Sequence, residues 1–109
     1  MDEKTETAVR RFLAVLGDSY DVEGAIVYGS RARGTHRLDS DADLAVLLAG
    51  PKLRFMTTAL AMSDVAYDVY LDTGVDISPL PIWLEEWANP DDYSNPNLLR
   101  TIASEGIRL

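Results

Sequence analysis

The sequence predicts a small α/β (α+β) domain in which helices cover a sheet of short strands. Three observations lead there. Residues 25–28 and 43–48 are largely apolar runs of strand length, and residues 75–80 alternate apolar with small or polar side chains. Residues 3–16 and 53–71 instead repeat apolar side chains at helical spacing. The two kinds of segment are interleaved along 109 residues, a length that suits a single domain, 1–109, around one core. Three short strands cannot stand alone, so a two-layer arrangement with helices over one face is the expectation.

The first helix opens the chain. Val9, Phe12, Leu13 and Leu16 fall at i, i+3, i+4 and i+7, and Gly17 supplies a stop. Ala25-Ile26-Val27-Tyr28 is wholly apolar, as a strand buried on both faces is, and breaks at Gly29-Ser30. Residues 31–40 are polar and contain Gly34, which predicts a short helix or loop. A second strand follows over residues 43–48. Beyond Gly50-Pro51, Leu53, Met56, Leu60, Tyr67 and Leu71 mark the apolar stripe of a long helix. Phe55, Ala59, Met62, Ala66 and Val69 widen it, and Arg54, Thr57, Thr58, Asp64 and Asp68 form the wet face. Asp72-Thr73-Gly74 reads as a turn. Residues 75–80 then alternate as a half-buried strand does. Pro81 opens a short helix with Trp83, Leu84 and Trp87 on one side, where both tryptophans serve as core or sheet cover. Asn95-Pro96 pairs an N-cap with proline at the first helical position and starts a last helix that runs to about residue 105.

Composition removes whole classes of function. The absence of cysteine excludes disulfides, thiolate metal sites and thiol catalysis, and the single histidine, His36, cannot build a His-rich centre. Eighteen acidic residues against ten basic give a net charge of −8, which disfavours direct, sequence-independent binding to nucleic acid. Six of the ten basic residues lie within residues 4–37, around one glycine-containing turn. No apolar run approaches the ~20 residues of a membrane span. The first six residues lack the basic and apolar regions of a signal peptide, so a cytoplasmic location is the expectation.

The informative segment is Gly29-Ser30-Arg31-Ala32-Arg33-Gly34-Thr35-His36-Arg37-Leu38-Asp39-Ser40-Asp41-Ala42-Asp43. A buried strand that ends in Gly-Ser before a helical turn leaves backbone N–H groups and a hydroxyl pointing outward, where phosphate can bind. Asp41 and Asp43 lie two apart at the start of a strand and so share a face. Two carboxylates at ~5 Å repel by ~3 kcal/mol at an effective dielectric near 20. A hard divalent cation turns that cost into attraction. Asp76 sits between Val75 and Ile77 in an apolar strand, where aspartate is uncommon, whereas Asp72 sits in a turn, where it is ordinary. Asp76 is therefore preferred as a third carboxylate. Arg31, Arg33 and Arg37 have two readings, neutralising a triphosphate or serving as solvated or structural charges. In helical geometry Arg33 and Arg37 share a face. His36 reads as a surface loop residue.

The Gly29-Ser30 pair, ten intervening residues and Asp41-x-Asp43 resemble the signature of the DNA polymerase β-like nucleotidyltransferase superfamily. The surroundings, Tyr28-Gly29-Ser30-Arg31-Ala32-Arg33-Gly34 and Ser40-Asp41-Ala42-Asp43-Leu44-Ala45-Val46, resemble its small prokaryotic branch, the minimal nucleotidyltransferases (MNT). Val75-Asp76-Ile77 is similar to that branch's third-carboxylate strand, and residues 102–109 are similar to its usual C-terminus. The resemblance implies a small mixed sheet flanked by helices. It implies that Gly29, Ser30 and Arg33 bind the nucleotide. Asp41, Asp43 and Asp76 would be both catalytic and ligands for Mg²⁺, two ions in all, with ATP as substrate.

Members of this size are often antitoxins that adenylylate a tyrosine of a HEPN-domain toxin. The expectation is therefore a Mg²⁺-dependent transfer of AMP to a protein hydroxyl. Two alternatives stay open. One is a non-catalytic module that masks a toxin. The other is transfer to a small-molecule hydroxyl such as that of an aminoglycoside.

Overall fold

The computed structural model describes residues 1–37 and 39–109. Helix α1 spans Glu3–Leu16 and is capped by Asp2, whose Oδ1 accepts from the Thr5 N–H at 2.9 Å. Strand β1 (Val22–Tyr28) leads into the single helical turn α2 (Ser30–Arg33), and β2 (Ala42–Leu48) follows. Helix α3 (Phe55–Thr73) crosses to β3 (Ile77–Trp83). The short α4 (Leu84–Ala88) and a 3-10 turn (Pro90–Asp92) lead to α5 (Pro96–Glu105) and a two-residue strand β4 (Ile107–Arg108). Asn95 caps α5 through the Leu98 N–H, with Pro96 in its first turn as expected.

The four strands form a mixed sheet in the order β3-β2-β1-β4. β1 pairs antiparallel with β2 and β4, and β2 pairs parallel with β3 across α3. The architecture is a small mixed sheet flanked by helices, as expected.

Several predicted features are corrected. The sheet is covered on both faces, giving three layers rather than two. On one face, Phe12 of α1 and Met62 of α3 share a core with Val27, Leu44 and Val46. On the other, Leu99 and Ile102 of α5 pack with Ile26, Ala45 and Leu47. The wholly apolar strands require this, since each strand has residues to bury on both sides.

The short helix predicted from Pro81 begins only at Leu84, as α4, and Pro81–Trp83 belong to β3 instead. Pro79 and Pro81 both lie in β3, which is an edge strand. Prolines two apart put their missing N–H groups on one side, the side with no neighbouring strand. Trp83 continues that parity and its N–H is taken by the Glu86 carboxylate at 3.1 Å. Trp83 is fully buried, and Trp87 packs partly buried beside the second core.

The buried stripe of α3 is shifted: Met62, Ala66 and Val69 are buried and Thr57, Asp64 and Asp68 exposed as expected, but the predicted centre of the stripe is not buried. Leu53, Met56, Leu60, Tyr67 and Leu71 are exposed, while Thr58, assigned to the wet face, is buried with Met62, Ala66 and Val69. Both sides of this helix are apolar, so periodicity alone cannot choose between them. Met62, Ala66 and Val69 of the buried side join the core with the sheet. Among the described residues no helix is long and apolar enough to cross a membrane.

Candidate active site

The end of β1 and the starts of β2 and β3 meet at one edge of the sheet. Tyr28 pairs with Asp43, Asp43 with Ser78 and Ala42 with Ile77. The Ala42 N–H donates to the Asp76 carbonyl at 2.7 Å, which seats Asp76 directly beside the entry to β2. Asp41 and Asp76 each lie one residue before their strands.

Gly29 makes the sharp exit from β1. Its backbone has φ 73° and ψ −153°, and a Cβ there would stand 2.6 Å from Asp43 Oδ2. Only glycine adopts that backbone readily and leaves that space. Ser30 then opens α2, and its carbonyl accepts from the N–H groups of Gly34 and Thr35. Gly34, at φ 73°, ends the turn.

The loop between α2 and β2 is held from beneath by Arg31. This side chain is buried, which separates it from the other two arginines. Its Nη1 donates to Thr5 Oγ1 at 2.9 Å, and its Nε and Nη2 donate to the Ser40 carbonyl at 3.1 and 2.7 Å. One guanidinium thus ties α1 to the residue preceding Asp41, and its role here is structural. Arg33 is exposed, 4.0 Å from Glu105, and its charge favours the ionised form of Asp43. Arg37 lies beyond Gly34 in the loop, so it does not share a helical face with Arg33. His36 is half-buried rather than loose on the surface, with Nε2 3.2 Å from Asp2 Oδ2.

Among the three chosen carboxylates, Asp41 lies within electrostatic reach of both Asp43 and Asp76. Asp43 is pushed above the usual carboxylate range by partial burial and by the Asp41 charge, against the pull of Arg33. Asp76 is pushed up by burial, by the Asp41 charge and by a side-chain hydrogen bond with Asp41. Asp41 therefore sits between the other two. Burial, with the nearby Asp43 charge, pushes the Tyr28 phenol up to about 12, so Tyr28 stays neutral beside the carboxylates. Among the described residues, no three acidic or histidine side chains are placed as a ready-made metal cage. Asp72 belongs to the last turn of α3 and pairs with Arg11 at 2.7 Å.

Asp41 and Asp76 line an open cleft of about 250 Å³ together with Ser63, Tyr67 and Ser78. Asp76 also lines an adjoining hollow of about 320 Å³ with Asp39, Ser40 and Tyr70. Larger hollows of about 480 and 520 Å³ lie by Leu13 and Tyr20 and by Lys4 and Thr73, but neither gathers carboxylates into contact. Sequence reasoning missed Ser63 and Tyr67, because their helical spacing assigned Tyr67 to the core.

A family model described as Polymerase beta, Nucleotidyltransferase matches residues 13–81, and the chain belongs to that family. The fold is similar to that of a candidate nucleotidyltransferase from Sulfolobus solfataricus, with TM-score 0.55 and 16% identity over 99% of this chain and 86% of the other. It is also similar to a chain of a tyrosine-to-alanine mutant of the MntA–HpeT toxin–antitoxin complex. There the TM-score is 0.64 and the identity 18%, over 95% of this chain and 70% of the other. No curated protein matches the chain.

Proposed function

We propose that this member of the polymerase beta nucleotidyltransferase family moves AMP from ATP to a hydroxyl of a protein, a tyrosine of a HEPN-domain toxin, and so acts as its antitoxin. The observation that carries the reading is the meeting of Asp41, Asp43 and Asp76 beside the Gly29-Ser30 turn. The fold shared with a chain of the MntA–HpeT complex supports a toxin as partner.

The carboxylates fit a hard cation. Burial and then the Asp41 charge raise Asp43 and Asp76, and Mg²⁺ takes one or two carboxylates while completing its shell with phosphate oxygens and water. Asp41 and Asp43 would hold it, with Asp76 alongside. When bound, Mg²⁺ supplies charge neutralisation at the triphosphate.

The chain's own residues do the rest. Ser30 and the N–H groups of the α2 turn hold phosphate oxygens, and Arg33 adds positive charge beside them. The acceptor oxygen forms a bond to the α-phosphorus as the bond from that phosphorus to the bridging oxygen breaks, and pyrophosphate leaves. The hydroxyl proton passes to Asp76, which lines the open cleft beside Asp41.

The test is incubation of the chain with a HEPN-domain protein, Mg²⁺ and α-labelled ATP. Label on the partner, lost with Asp43→Asn and with partner Tyr→Phe, is the expected result. Toxin inhibition without label would instead favour a masking module.

A further inference from the structure

Seven of the nine large hydrophobic side chains exposed among the described residues lie within residues 53–71. Met56, Leu60, Tyr67 and Leu71 are each more than 60% exposed. At 3.6 residues per turn they fall within an arc of roughly 60° and run for roughly 22 Å along α3. The buried side of the helix, Thr58, Met62, Ala66 and Val69, faces away from them. The stripe is two apolar pairs, Met56 with Leu60 and Tyr67 with Leu71, parted by exposed Ser63, and an apolar patch of this length marks an interaction site.

The two borders of the stripe define what fits it. Along one edge, Ser63, Ala66 and Tyr67 line the cleft that holds Asp41 and Asp76. Along the other, Asp64 and Asp68 stand exposed. α3 carries no basic residue anywhere between Phe55 and Thr73. The stripe is therefore apolar in the middle, acidic on one side and open to the carboxylates on the other.

The geometry points to α3 as the docking face of the acceptor protein. A partner helix with an apolar stripe and flanking basic residues lies along residues 56–71 and presents its hydroxyl to the cleft beside Asp76. Anchors spaced four, seven and four residues apart, at Met56, Leu60, Tyr67 and Leu71, suit helix-on-helix recognition. A second copy of this chain is the poorer occupant. Pairing α3 with itself would set one acidic row against another, and like charges across an interface are unfavourable. Identifying the docked helix with the acceptor rests on the proposed transferase reading, whereas the docking itself does not.

The test uses the whole chain and needs no catalysis. The probe is a synthetic helical peptide of about six turns, with leucines at i, i+3, i+4 and i+7 and arginines flanking them. A second probe replaces the arginines with glutamates. Calorimetric titration should show one-to-one binding of the basic peptide, weakened by salt, and none of the acidic one. Met56→Asp and Leu60→Asp should each weaken binding at least tenfold, with unchanged melting temperature and unchanged ATP affinity. Val15→Asp, at an exposed apolar position away from the stripe, should bind as the parent does. Failure of the basic peptide to bind, or equal loss with Val15→Asp, overturns the proposal. Sedimentation of the chain alone should show a monomer, and a dimer dissociated by Leu60→Asp would assign the stripe to a second copy instead. Peptide binding without label transfer to any HEPN protein would leave the docking face standing and sink the transferase reading.

Discussion

A single methyl group added at residue 29 would stand 2.6 Å from the Asp43 carboxylate. It would also have to tolerate φ 73° and ψ −153°, a region closed to ordinary side chains. Gly29→Ala should therefore lower stability by about 1–3 kcal/mol. It should also displace Asp43 and so depress transfer beyond the stability loss. Urea denaturation and label transfer at a temperature where the variant stays folded check the two halves. An unchanged midpoint would mean that the turn relaxes at little cost. At this scale the local spacing of the motif was legible, because Gly29, Ser30, Asp41 and Asp43 fall within fifteen residues. The arginines were not. Arg31 and Arg33 are chemically alike and two apart, yet one is buried against Thr5 and Ser40 and the other is exposed. Thr5 lies 26 residues from Arg31, and nothing in the local pattern announces that contact.

At the scale of elements, the sequence predicted helices well where one face alone is apolar, as in α1, and poorly where both are, as in α3. It also missed β4, since two residues carry no periodicity and only pairing with β1 makes them a strand. The start of α1 offers a direct check on local signals. Hydrogen bonds from the Thr5 hydroxyl and then the Thr5 N–H, with the His36 ring nearby, hold the Asp2 carboxyl below the usual range. A group lowered on folding contributes stability that is present above its unfolded value, near ~3.9, and is lost as pH falls through the folded one. Asp2→Ala should lose about 1 kcal/mol at neutral pH. For a domain of this size that is a fall in Tm of roughly 4–8 °C. The gap between parent and variant should close as pH drops below the carboxylate range. Thermal melts across pH measure it, and a gap that persists in acid would show that the carboxylate is not what caps the helix.

At the scale of the whole molecule, a net charge of −8 is carried by a chain that also crowds Asp41, Asp43 and Asp76 at one sheet edge. Crowding three carboxylates without a cation works against folding, so the site is held in place by the rest of the sheet. Neutralising one member should relieve that repulsion. Metal-free Asp43→Asn is expected to be as stable as the parent, or slightly more so, because the change removes a charge and almost no volume. Adding Mg²⁺ with ATP should reverse the order. A ligand that binds only the folded state stabilises by RT ln(1 + [L]/Kd), or ~2.7 kcal/mol at a hundredfold excess over Kd. The parent should gain that stability, and the variant should lose most of it with its charged oxygen. Aspartates that merely cap a turn would behave otherwise. Their loss would cost ~1 kcal/mol with or without ligand. Melts of both proteins in EDTA, and then in Mg²⁺ with ATP, separate the cases. A variant that is less stable in EDTA and responds to the ligands as the parent does would remove Asp43 from the nucleotide site.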